Sequence, residues 1–162
     1  MSETYTPSTH NPDSPQWQIT DDALSVHLAR QGAQAYMDSH GVDGEVGERV
    51  ALVFSELAAN EQEHGEGAPR RALLDVVGSQ CVRILVSGPT ASKVERLARF
   101  YDAAAEIYAD DTDEDGRGRL ITLAVASQVK VYADLANDLS VVEAVVRGGE
   151  QADDPFAHEL IA

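Results

Sequence analysis

The 162-residue chain has room for one domain with a single core and too little for two. Apolar residues make up 43% and charged residues 25%, the balance of a packed globular protein, no run reaches the roughly 18 apolar residues that span a bilayer, and the lone Cys81 excludes a disulfide framework or a cysteine-built metal centre. Twelve Lys and Arg against 28 Asp and Glu give a formal charge of −16, which opposes direct nucleic-acid binding and favours either plain solubility or a basic protein partner.

Residues 1–16, with Pro7, Pro12 and Pro15 among Ser and Thr, read as a flexible tail; they carry no basic, apolar leader, so no membrane association and a cytoplasmic location are expected. Trp17 to Ile19 supply a short strand, and Thr20, Asp21 and Asp22 offer capping side chains to a helix ending near Ser39. After the break at Gly41, Val46, Val50, Val53 and Leu57 recur at i, i+4, i+7 and i+11, the buried stripe of a second helix that Gly65, Gly67 and Pro69 terminate. Ala72 to Val77 and Val82 to Ser87 are predicted strands; Val82, Ile84 and Val86 share one face, and Cys81 beside them reads as a buried, inert thiol. Helical spacing returns from Ala91 to Tyr108 through Val94, Leu97, Tyr101 and Ala104. An acidic loop, Asp110 to Asp115, precedes Gly116-Arg117-Gly118 and a helical stretch through Leu120, Leu123 and Ala124. Strands at Val129 to Leu135 and Val141 to Val146 close a domain spanning 17–147, and residues 148–162 form an acidic C-terminal tail. This order predicts an α+β fold: a two-layer α/β sandwich with an antiparallel or mixed sheet and helices on one face.

Chemistry-bearing residues concentrate at the end of the second helix. Glu56 and Asn60 lie one turn apart on one helical edge, where they can face a cleft. A carboxylate there can accept a proton from a nucleophile, and a carboxamide oxygen can bind Mg²⁺, a hard ion that keeps its other contacts with phosphates and water. By themselves the same residues also suit a solvated edge, with His64 favourably placed against the helix dipole. Gly116 and Gly118 ahead of a helix permit close backbone approach to an anion, and Arg117 and Arg119 add charge; a solvated loop tip is the plainer alternative.

The run VALVFSELAANEQEHG, with Glu56, Leu57, Asn60 and His64 in register, resembles the signature helix of the histidine-kinase-like ATPase family, particularly the small bacterial anti-sigma-factor serine kinases. DEDGRGRLITLAVASQVKV resembles the family's later glycine box, so the likeness covers about residues 17–147. It implies the family's fold, ATP and Mg²⁺ as cofactors, Asn60 as metal ligand and Glu56 as general base. His64, Gly116, Arg117, Gly118 and Arg119 would take part in cofactor binding, and a sigma factor or its antagonist would be the partner. One departure is clear. The family's Asp-x-Gly, whose Asp accepts a hydrogen bond from the adenine amino group, aligns with Gly88, Pro89 and Thr90. Losing such a bond costs roughly 1.5 to 3 kcal/mol, about ten- to a hundredfold in affinity. The family's Ala after the Asn is Glu61 here; Glu61 and Glu63 are expected to point into solvent. Two readings follow: an ATP- and Mg²⁺-dependent serine/threonine kinase switch, or a nucleotide-independent protein-binding module on the same fold. The sequence leaves a homodimer open.

Overall fold

The computed structural model describes residues 13–106 and 125–148. In chain order these form β1 (Gln16–Gln18), α1 (Ala23–Ser39), α2 (Gly44–His64), β2 (Arg71–Gly78), β3 (Cys81–Pro89), α3 (Val94–Glu106), β4 (Gln128–Asp134) and β5 (Leu139–Arg147), with a 3₁₀ turn, Ala91–Lys93, leading into α3. The sheet order is β1-β2-β3-β5-β4, and every neighbouring pair is antiparallel, which resolves the antiparallel-or-mixed alternative. The acidic loop, the Gly116 to Arg119 turn, the stretch through Leu120 and Ala124, and most of both tails lie outside the described residues. So do Ile107 and Tyr108, the expected end of the third helix.

Local chemistry accounts for the helix boundaries. Asp22 caps α1 by accepting a hydrogen bond from the Leu24 N–H (2.9 Å), and Asp43 does the same for α2 through Glu45 N–H (3.0 Å). Gly41, at φ +68°, turns the chain out of α1 so that the Val42 N–H reaches the Met37 carbonyl at 3.2 Å, a closure that a Cβ would strain.

Alternation in the strands sorts side chains to two faces. Ala72 and Leu74, Val82, Ile84 and Val86, and Val142, Ala144 and Val146 form one core with Val26, Ala29, Ala33 and Met37 of α1 and Val46, Val50, Val53, Phe54, Leu57 and Ala58 of α2. The stripe of α2 and the shared face of β3 therefore stand as the sequence predicts. The opposite face carries the apolar cluster Leu73, Leu85 and Val141, with Tyr132 packed on it, beside a buried ion pair network centred on Arg83. Cys81 is buried on that face against Val145.

The sheet begins one residue before the expected boundary, at Gln16. Ser14 is buried and its hydroxyl donates to Asp75 at 3.2 Å, so the chain is engaged with β2 before the first strand. Among the described residues no helix is long and apolar enough to cross a membrane.

Candidate functional site

The cavity at the C-terminal end of α2 has a volume of about 270 Å³, near the lower end of small-molecule pockets. The last two turns of α2, the first turns of α3 and the ends of β3 and β5 enclose it. Leu57, Val86, Leu97, Phe100 and Val142 supply apolar wall, while Asn60, Glu61, Lys93 and Arg96 supply polar groups.

Each polar group is placed by its element. Asn60 follows Leu57 by one turn, and its carboxamide N–H donates to the Tyr101 hydroxyl of α3 at 3.4 Å. Among the described residues nothing donates to its Oδ1, so the oxygen is available as a hard-metal ligand. No group of three or more His, Cys, Asp or Glu that could hold a metal occurs among the described residues. An Mg²⁺ here would therefore take one oxygen from Asn60 and the rest from phosphate and water, the usual mode for this ion. Lys93, at the end of the 3₁₀ turn, and Arg96, in the first turn of α3, bring two cations to the same cavity, a match for an anionic ligand.

Arg70, at the start of the chain's return into β2, fixes the end of α2. Its Nη1 donates to the carbonyls of Glu61 (3.1 Å), Gln62 (3.3 Å) and Gly65 (3.4 Å), and its Nη2 pairs with Asp21 at 2.7 Å. A buried guanidinium thus satisfies the carbonyls that a helix C-terminus leaves open and ties them to the loop before α1.

Glu61 is the main correction to the sequence reading. It does not point into solvent; it lines the cavity, whereas Glu63 is exposed. Burial raises its carboxyl above the ordinary value of 4.5, against the opposing pull of the Arg70 and Lys93 charges. A raised folded-state value means that the ionised form opposes folding above it. That penalty is relieved as pH falls through the folded value toward 4.5. Glu61→Gln is accordingly expected to raise the urea midpoint at about pH 8, with the gain shrinking toward about pH 4.5; an equal gain at both pH values would contradict this account.

Of the residues singled out in the sequence, Asn60 and His64 line the cavity, His64 half-exposed with its ring centroid 5.6 Å from that of Phe100. Glu56 is half-buried one turn back on α2 and is not among the described lining residues. Gly116, Arg117, Gly118 and Arg119 lie outside the described residues. Sequence reasoning missed Glu61, Arg70, Lys93 and Arg96. The i, i+3 spacing of Lys93 and Arg96 beside the apolar Leu97 and Phe100 was the available signal for the cationic side of the cavity.

No protein-family model matches this sequence, and no curated protein matches it. Among solved structures, the fold is similar to that in the crystal structure of the RsbU and RsbW domains of Rv1364c from Mycobacterium tuberculosis, with a TM-score of 0.55 and 12% identity. That match covers 83% of this chain and 31% of the other, so this chain spans less than a third of that protein's length. It is also similar to the structure of the SiaB-SiaC complex from Pseudomonas aeruginosa, with a TM-score of 0.56 and 13% identity over 82% of this chain and 88% of the other. These likenesses show the fold alone: an α+β arrangement of a five-stranded antiparallel sheet and three helices, similar to that of both structures.

Proposed function

We propose that this chain is a regulatory module that binds an adenine nucleotide with Mg²⁺ between α2 and α3 and through it controls a protein partner. The observation that carries this reading is the cavity itself: apolar walls, an unengaged Asn60 oxygen and the Lys93 and Arg96 cations converge on one space. When bound, Mg²⁺ would neutralise phosphate charge. Asn60 would hold it, and Lys93 and Arg96 would attract the phosphates. The partner class is supported by the fold neighbours, one of which is a protein complex of SiaB with SiaC. In this reading the partner is a sigma factor or its antagonist. Transfer of phosphate to Ser or Thr would use Glu56 as base, from its place one turn back from the cavity.

Isothermal titration with Mg-ATP tests the reading. Saturable binding is expected, and Asn60→Ala should weaken it at least about tenfold, the loss of a contact worth about 1.4 kcal/mol. No heat at millimolar nucleotide would overturn it.

The alternative, a nucleotide-independent module on the same fold, draws on two observations: the Glu61 carboxyl adds negative charge to the cavity, and Glu56 stands outside its described lining. A stoichiometric complex with a protein partner that forms unchanged with and without Mg-ATP, and in Asn60→Ala, would favour that reading.

A further inference from the structure

Two glycines on different elements make the space that Glu61 fills. A Cβ at Gly65, which ends α2, or at Gly88, near the end of β3, would collide with Glu61 Oε1. Gly88 is buried and paired with Ser140 of β5, whose hydroxyl donates to the Gly88 carbonyl at 3.3 Å, so this strand position is fixed. The Glu61 carboxyl is therefore set against a rigid part of the cavity wall. It does not hang free from the helix.

That carboxyl accepts no hydrogen bond from any described residue. Arg70, near enough for its charge to act on Glu61, directs Nη1 to three backbone carbonyls and Nη2 to Asp21. An acceptor that faces the cavity with no donor from a described residue is open to one from a ligand. The surrounding groups narrow that ligand. Leu57, Val86, Leu97, Phe100 and Val142 suit a flat ring, and Lys93 and Arg96 suit an anionic tail. A heterocycle with an N–H edge and attached phosphates meets all three conditions.

We propose that Glu61 is the base-reading residue of this cavity: its carboxyl, carried by α2, accepts a hydrogen bond from the exocyclic amino group of adenine. The proposal rests on the nucleotide-binding reading above and adds to it the residue that selects the base. The two glycines are then part of the same arrangement, since a side chain at either would displace the carboxyl.

The test is titration of the full chain with the Mg complexes of ATP and of purine riboside triphosphate, whose base has hydrogen in place of the amino group and no N–H at that edge. The wild type is expected to prefer ATP by about ten- to a hundredfold. In Glu61→Ala the preference should fall to within about threefold, while the purine analogue still binds. Gly88→Asp alone should weaken ATP binding because its carboxylate is forced onto Glu61. The double variant Glu61→Ala/Gly88→Asp, with the acid moved to the strand, should recover the ATP preference. Circular dichroism of each variant establishes that it is folded. If the wild type binds both nucleotides equally, or folded Glu61→Ala keeps the preference, Glu61 is not the reader and nucleotide binding itself stands. If neither nucleotide binds the wild type, the reading beneath falls with it.

Discussion

Arg83→Ala is expected to lower the free energy of unfolding by about 3 to 5 kcal/mol, the cost of breaking a buried charge network by removing its central member. The Arg83 side chain is 1% exposed; its Nη2 pairs with Asp75 Oδ2 at 2.9 Å and its Nη1 with Glu143 Oε1 at 3.4 Å, and Glu143 is also 1% exposed. The three residues sit on β2, β3 and β5, so one guanidinium neutralises carboxylates from both neighbouring strands. Without it, Asp75 and Glu143 lose the guanidinium that bridges them in a poorly solvated layer. Arg83→Met, which keeps most of the side-chain volume, separates charge from packing and should lose nearly as much. Urea unfolding of both variants checks this. A loss under about 1 kcal/mol, typical of a surface pair, would show that the network contributes little. The consequence reaches the cavity, because β3 continues to Gly88 and β5 begins beside Ser140 and Val142.

The same network marks where sequence patterning stops being informative. Period-two alternation puts Arg83 opposite Val82 and Ile84, as observed, but an arginine on that face reads as solvated. Its burial depends on what covers the second face of the sheet, and one strand's pattern does not encode that. Nor does local sequence encode that β3 pairs with β5 before β4, since pairing across some sixty residues is set by the whole packing. The helices were more legible because their periodicity is local. Val46, Val50, Val53 and Leu57 all face the core. The stripe in fact continues: Glu61 is the next i+4 position after Leu57, so the spacing itself aims it inward while its charge argues for solvent. Geometry decided, because Gly65 and Gly88 leave it room. Glu56 and Asn60 share an edge, but α3 and the strand ends meet α2 only in its last turns. A separation of four residues, about 6 Å along the axis, puts Asn60 in the described cavity lining and leaves Glu56 out of it.

Phe54→Ala is expected to cost about 3 to 5 kcal/mol, the range for removing a fully buried aromatic ring whose surroundings relax only in part. Phe54 is fully buried, and the edge-to-face ring of Trp17 lies with its centroid 5.7 Å away at 89°. Trp17 in turn packs so closely over Gly32 that a Cβ there would run into the indole. One contact therefore joins β1, α1 and α2, and its loss cannot be filled by a shift of one element alone. Phe54→Leu retains part of the volume and should cost less, about 1 to 2 kcal/mol. Trp17 is the only tryptophan in the chain, so its emission reports this junction directly. Opening a cavity beside the indole should shift native-state emission to longer wavelength in Phe54→Ala and leave it nearly unchanged in Phe54→Leu. A Phe54→Ala protein with unchanged emission and a loss below about 1 kcal/mol would mean that the core recloses around the missing ring. In that case α2 must move toward α1, carrying Asn60 and Glu61 with it, and nucleotide affinity should fall in a protein whose stability hardly changes.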